Sequence, residues 1–231
     1  MRLDKFLTET GTCTRSEAGK AVRKGMILVN GIAPKSASEQ IDPEKDRVFF
    51  AGEEIIYRKF TYIILNKPEG VVSATEDGDV TVIDLLPEQL QKLSLFPCGR
   101  LDKYTLGFVL LTNNGPLAHR LLSPKHHVEK CYRFTSKFPL SDEDLAKLEA
   151  GVDIGGYQTA PCKLERDGEE YLITLTEGKY HQIKRMLEAV GNKITYLERI
   201  SFAGISLPAE LSRGQWRFLT PEEIEKLENH R

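Results

Sequence analysis

The sequence predicts a chain that mixes helices and strands in two parts: a compact N-terminal module over residues 1–58 and a larger domain over residues 62–231. Three observations carry that reading. Near the start, two short helical patterns run into an apolar strand and a tight-turn signal. The segment 51–61 (AGEEIIYRKFT) is charged and lacks a clear period, which places a linker near Tyr57–Thr61. From Tyr62 onward, apolar runs of strand length alternate with helical patterns.

The elements follow in order. Leu3, Phe6 and Leu7 have helical spacing. Thr14 and Glu17 have the spacing of a capping box, in which each satisfies a backbone donor near the other, opening a second helix that carries Ala18, Ala21 and Val22. Gly25 is placed to end it, because glycine tolerates the left-handed conformation that closes a helix. The run Met26-Ile27-Leu28-Val29 reads as a strand, Asn30-Gly31 as a turn, and Arg47–Phe50 as a further strand. In the larger part the strands are Tyr62–Leu65, Phe108–Thr112, Cys131–Thr135, Tyr171–Thr176 and Thr195–Ile200. Helices are predicted over Asp142–Ala150 and His181–Val190, and a last one begins at Thr220, with Pro221 in its first turn and Glu223 completing a capping box.

Composition narrows the chemistry. Hydrophobic residues make up 40% and charged residues 29%, the balance of a soluble globular protein, and no apolar run has transmembrane length. The start, MRLDKFLTETG, lacks the apolar core of a signal peptide, so the expected location is the cytoplasm, with no membrane partner. Cys13, Cys98, Cys131 and Cys162 are far apart in sequence, which suggests neither a zinc site nor a disulfide framework. His126, His127 and His181 have no carboxylate or thiol partner at ligand spacing, so no metal is expected. Hydrolase and nuclease readings fail for want of a metal cluster or a nucleophile paired with histidine.

The net charge is −2, but positive charge is segregated: residues 1–35 carry seven basic against three acidic side chains, and residues 98–137 carry seven against two. Such a distribution can hold a phosphate backbone whatever the total. On the second helix Arg15, Lys20, Arg23 and Lys24 make a phosphate-tracking face.

The most informative stretch is Gly99-Arg100-Leu101-Asp102-Lys103-Tyr104-Thr105-Leu106-Gly107-Phe108-Val109-Leu110-Leu111-Thr112, a polar loop followed by an apolar strand. Asp102 lies between a guanidinium and an ammonium, and neighbouring positive charge keeps a carboxylate ionised even when partly desolvated. A carboxylate so placed can serve as nucleophile or base. Taken alone, the spacing does not separate this from a structural aspartate paired with arginine, which is the commoner case. Ile183, Leu187 and Val190 give one apolar face of a helix, and Lys184 and Arg185 emerge near its start, within reach of a cleft.

These segments together carry a resemblance. Gly99–Thr112 resembles the "G-R-L-D-x-x-T-x-G-x-x-L-L-T" active-site motif of the RsuA/RluA-type pseudouridine synthases. Leu65-Asn66-Lys67-Pro68-Glu69-Gly70 resembles their "L-N-K-P-x-G" segment, Glu129-Lys130-Cys131-Tyr132 their "E-K-x-Y", and Glu177–Met186 their "E-G-x-x-x-Q-[VI]-[KR]-R-M", all in the family's order. Ahead of them, Thr14-Arg15-Ser16-Glu17-Ala18 and Gly25–Gly31 resemble an S4 RNA-binding domain. The fold this implies is α+β: a small N-terminal S4-like RNA-binding domain, then a synthase domain with a mostly antiparallel mixed sheet, flanking helices and a central cleft.

The resemblance also implies roles. Asp102 matches the catalytic aspartate, Tyr132 the tyrosine that stacks on the target base and serves in proton transfer, and Lys184 the basic partner of the aspartate. Many relatives have arginine at that last position; lysine keeps the charge without the bidentate fork. Arg100 matches a residue that helps displace the base from its stack. Lys67 and Arg185, with Arg15, Arg23 and Lys24 of the S4-like domain, are the further RNA-contacting candidates. Phe108 departs from the commoner leucine and is expected to be a core residue.

The implied reaction breaks the N1–C1′ bond of a uridine, turns the base and rejoins it through C5, with no cofactor. Asp102 would attack C1′, add to the ring at C6, or take the 2′ proton. The Tyr-His-Gln-Ile-Lys-Arg-Met form is most similar to the RsuA branch, which implies as partner 16S rRNA or a small-subunit assembly intermediate, modified at a single uridine, position 516, by a monomeric enzyme. The alternatives are a 23S rRNA synthase of the same family and a non-catalytic ribosome-associated RNA-binding protein.

Overall fold

The computed structural model describes residues 1–230, which group into two compact units, Met1–Thr61 with Leu86–Leu95, and Tyr62–Leu85 with Phe96 onward.

The first unit contains α1 (Leu3–Glu9), α2 (Arg15–Arg23), a three-stranded sheet of β1 (Ile27–Val29), β2 (Val48–Phe50) and β3 (Glu53–Ile55), and the single turn α3 (Glu88–Gln91). Thr14 caps α2 as expected: its hydroxyl accepts from the Glu17 amide and its own amide donates to the Glu17 carboxylate. Asn30 and Gly31 both have positive φ, the requirement of a type I′ turn, and the turn is closed by hydrogen bonds in both directions between Val29 and Ile32. Leu3, Phe6, Leu7, Ile27 and Val48 form the centre of a small apolar core.

Two features of this unit depart from expectation. The segment 51–61, read as charged and without period, contains β3 ahead of the linker placed near Tyr57–Thr61, and Tyr57 itself stacks on Phe6 with ring centroids 5.5 Å apart. Its charged residues hid the strand because both glutamates of β3 face solvent and only Ile55 is half-buried. The excursion Leu86–Leu95 also returns to this unit, where the backbone of Gln89 passes so close to Gly11 that a Cβ there would collide with the Gln89 carbonyl.

The second unit is built on a sheet whose main path runs β12 (Trp216–Phe218), β4 (Tyr62–Lys67), β6 (Leu106–Thr112), β10 (Ile194–Phe202), β7 (Lys130–Ser136), β9 (Glu170–Leu175) and β8 (Lys163–Asp167). Short β5 (Phe96–Cys98) pairs with β6, and β11 (Ile205–Ser206) pairs with β10. Every pairing is antiparallel except β6 with β10. All six residues of β4 and six of seven in β6 are buried, as expected of strands covered on both faces, whereas β9 alternates buried with half-buried. Phe108 is fully buried beside Phe202, as its expected core role requires.

The flanking helices are α4 (Gly115–Leu122), α5 (Asp142–Ala150), α6 (Gln182–Ala189) and α7 (Pro221–Asn229). Capping boxes open α5 at Ser141/Asp144 and α7 at Thr220/Glu223. Helix α6 presents Ile183, Met186 and Leu187 to the core formed with β7, β9 and α5. The last two are fully buried, each contributing about 1.5–3 kcal/mol by removal from water. No described helix is long and apolar enough to cross a membrane.

Candidate active site

Asp102 lies in the turn between β5 and β6, and that turn is fixed from below. The Thr105 amide donates to the Asp102 carbonyl at 3.0 Å, and the Leu101 amide donates to Ser73 Oγ at 3.1 Å. At the end of β4, Lys67 donates from Nζ to the carbonyls of Lys103, Thr105 and Pro68 at 3.0, 2.8 and 3.1 Å, and the Gly70 amide adds a bond to the Lys103 carbonyl. The Leu65–Gly70 segment is thus the seat of the aspartate loop. Within it, Asn66 donates to the Leu211 carbonyl and ties the same strand to the loop before β12.

This placement corrects the assignment of Lys67 to RNA contact. Its side chain is fully buried under the loop, with its donors directed to three carbonyls of its own unit. Burial pushes its pKa down to about 8, against the opposing pull of Asp102 and Glu69. A solvated turn lysine and a buried strut look alike in sequence; only the closure of β4 against β6 separates them.

The carboxylate of Asp102 has two partners from the α6 side. Lys184 Nζ donates to Oδ2 at 2.6 Å, and His181 Nε2 stands 3.4 Å from Oδ1. Side-chain exposures of 29% for Asp102 and 30% for Lys184 leave the pair half-shielded, so it is screened less than a surface ion pair. Lys184 reaches inward because of a closed ring of hydrogen bonds ahead of α6. Gln182 is buried, accepts from the Lys179 amide at 2.9 Å and donates to Glu177 Oε1 at 2.7 Å. Glu177 also accepts from the Ala160 amide and the Tyr157 hydroxyl. The spacing E-x-x-x-x-Q therefore fixes the loop that presents His181 and Lys184. Neither Glu177 nor Gln182 was assigned a role from sequence, and His181 was not placed beside Asp102, although all lie inside the motif that pointed to Lys184.

Two concavities meet at Asp102. One is a 180 Å³ pocket lined by Tyr132, Leu175, Ile183 and Leu197 with Lys130, Lys184 and Arg199. The other is a 490 Å³ groove lined by Val72–Ala74, Asp77, Lys103 and Tyr180. Arg100, Leu101, Asp102 and His181 border both. Tyr132, on β7 opposite Arg199 of β10, thus shares a pocket with the carboxylate. Arg199, unremarked in the sequence, is 1% exposed and donates from Nε to the Phe108 carbonyl. Lys130 next to it has its pKa lowered, first by burial and then by Arg199. Burial pushes the Cys98 thiol up to about 12, which leaves it un-ionised and inert.

The remaining candidates are dispersed. Arg100 is exposed at the mouth. Arg185 lines neither concavity, and its guanidinium lies against the loop at Gly155. Arg15, Arg23 and Lys24 are exposed on α2 and its C-cap in the first unit. The basic run 98–137 is not one continuous face: Arg120 donates to the terminal carbonyls of α7, Arg133 pairs with Glu170, and Lys103 pairs with Asp79.

A half-shielded carboxylate aimed by a lysine, beside an aromatic wall and a groove, matches what a base-modifying site needs. Comparison with known proteins agrees. Residues 61–189 match the RNA pseudouridylate synthase family and residues 1–48 match the S4 domain. The chain is 48% identical to an uncharacterized RNA pseudouridine synthase, YtzG, of Bacillus subtilis (strain 168), covering 98% of each. It is 41% identical to ribosomal small subunit pseudouridine synthase A of Haemophilus influenzae, covering 98% of this chain and 99% of that protein. Identity to the protein of the same name in Escherichia coli (strain K12) is 38%, over 97% and 98%. Among solved structures, a pseudouridylate synthase crystal structure is similar with a TM-score of 0.70 and 40% identity, covering 98% of this chain and 99% of that one. The chain belongs to the RNA pseudouridylate synthase family, isomerases that act on RNA, and carries an S4 domain ahead of its synthase domain.

Proposed function

We propose that this enzyme isomerises a single uridine of small-subunit 16S rRNA, position 516, to pseudouridine, with Asp102 as its catalytic carboxylate and no cofactor. The observation that carries the reading is the Asp102–Lys184 contact of 2.6 Å at the border of the Tyr132 pocket and the neighbouring groove. Full-length similarity to proteins named for the small ribosomal subunit supports the choice of RNA.

A stacked base hides both its ring and C1′, so the uridine must leave the helix, and the pocket beside Tyr132 offers it a place to go. Tyr132 stacks on the extruded ring, an interaction that contributes about 1–3 kcal/mol per base, and takes part in removing the C5 proton. Arg100, exposed at the mouth, fills the vacated stack. Asp102 attacks C1′, adds at C6 or takes the 2′ proton; by each route it must be ionised and aimed. Lys184 aims it by charge and hydrogen bond, pre-set before the substrate arrives. Arg15, Arg23 and Lys24 of the S4 domain track phosphates, so that the shape of the RNA selects the site. The substrate is 16S rRNA alone or within an assembling subunit, acted on by a monomer in the bacterial cytoplasm.

Tritium release from 5-³H-uridine-labelled 16S and, separately, 23S rRNA tests the reading. Release from 16S alone, absent in Asp102→Asn, is expected. Release from 23S alone would move the target to the large subunit. Salt-sensitive binding without release from naked RNA or partly assembled subunits would leave a non-catalytic binder.

A further inference from the structure

We propose that Tyr180, carried on His181, is a stacking platform for a nucleobase of the substrate RNA that lies beside the target uridine. The inference rests on the reading of the cleft as a uridine-isomerising site and adds to it a second base-binding position, outside the catalytic pocket.

Tyr180 is 75% exposed, so packing within its unit does not explain an aromatic ring there. The ring is nonetheless ordered by a partner: it stacks on the His181 imidazole with centroids 3.9 Å apart and planes 18° from parallel. Among the described residues, only one face is used in this way. His181 holds its position in a left-handed backbone conformation, φ 50° and ψ 34°, which residues with a Cβ seldom adopt and which clusters at functional sites. It stands at the N-cap of α6 yet makes no capping hydrogen bond. Its Nε2 instead approaches Asp102 Oδ1 at 3.4 Å. Tyr180, His181 and Asp102 thus form a column leading from solvent to the carboxylate.

The surroundings identify the occupant. Tyr180 lines the groove, not the pocket, and the two meet at Asp102. A strand whose target base enters the pocket must run on through the groove. Arg100 and Lys179 border that groove, Lys103 there is held by Asp79, and Asp77 is its other carboxylate besides Asp102. Every nucleobase offers a π-face, and exposed aromatics set among cations are how single-stranded RNA is held without a sequence code. A base on the free face of Tyr180 would press the stack inward and hold His181 against Asp102, linking occupancy of the groove to the aim of the carboxylate.

The test uses the full-length enzyme and an RNA from which the wild type releases tritium. Three versions are made: intact, and with an abasic site at either nucleotide flanking the target. Each is assayed with wild type, Tyr180→Phe and Tyr180→Ala, after equal melting temperatures show that all three are folded. On intact RNA, Tyr180→Ala is expected to raise KM about 5- to 100-fold, and Tyr180→Phe to stay near wild type. On one of the abasic RNAs the wild type should lose the same factor, and Tyr180→Ala should lose nothing more. Equal losses on all three RNAs, or no loss on any, would overturn the platform while leaving the isomerase reading intact. Absence of release from every RNA would remove the isomerase reading, and this proposal with it.

Discussion

The cluster around Asp102 divides its work between two lysines that look interchangeable in sequence. Lys184 meets Asp102 directly, whereas Lys67 lies beneath the loop and touches only carbonyls. Their substitutions should differ in kind. Lys184→Met is expected to lower kcat by about 10²–10³ with RNA affinity changed only a few-fold, and Lys184→Arg to restore much of it; single-turnover rates with saturating enzyme check this. Lys67→Met takes the ammonium donor from the Pro68 and Thr105 carbonyls and leaves the Lys103 carbonyl with the Gly70 amide alone, and should destabilise the second unit by about 1–3 kcal/mol. Lys67 also carries a pH signature. Its folded pKa of about 8 lies below the ordinary lysine value of 10.5, so between those limits the unfolded chain binds the extra proton. Its contribution to stability therefore rises with pH across that window, because stability climbs wherever the unfolded state holds more protons. Denaturant titrations at pH 8 and pH 10 should show wild type gaining on Lys67→Met; a constant difference would contradict the depressed pKa. His181 was legible as a polar residue inside a motif, but not as a neighbour of Asp102. Its left-handed backbone puts it there, and nothing in a run of residue types announces that conformation at a histidine.

Elements with strong local signals were the readable ones. The capping boxes at Thr14 and Thr220 fix their helix starts within three residues, and α5 was legible end to end, because each depends on side chains adjacent in sequence. Helix α4 was missed although Asn114 caps it: a Gly-Pro start after Asn113-Asn114 reads as a loop, and its stability draws on the bond from Asn114 to the Tyr62 hydroxyl, a partner on another strand. β3 was missed for the opposite reason, too little burial to leave a pattern. The parallel pairing of β6 with β10 explains one motif position that sequence left unexplained. Gly107, at φ +99°, faces the backbone of Arg199, and an added Cβ would meet the Arg199 carbonyl. Gly107→Ala should therefore separate the only parallel pair among the described strands and destabilise by about 3 kcal/mol or more, read as a fall in melting temperature.

On the scale of the whole molecule, motif order revealed the two functions of the chain before any geometry, because catalysis requires particular residue types at fixed intervals. How the chain is partitioned was less legible, since contacts between distant segments leave no local trace. RNA binding by the S4 domain should separate cleanly from chemistry. Replacing Arg15, Arg23 and Lys24 by alanine is expected to raise KM and flatten the dependence of log binding constant on log salt by about 2–3, with kcat nearly unchanged. Filter binding across a salt series measures this. The return of Leu86–Leu95 to the N-terminal unit has a consequence in time. A ribosome adds about 5–20 residues per second, so roughly 2–7 s separate synthesis of Thr61 from that of Leu95. Through that interval the nascent unit lacks its last piece, and all of β4 is made before the piece arrives. Completion of the first unit therefore overlaps synthesis of the second: the module that leaves the exit tunnel first waits, unfinished, for a segment encoded inside the next.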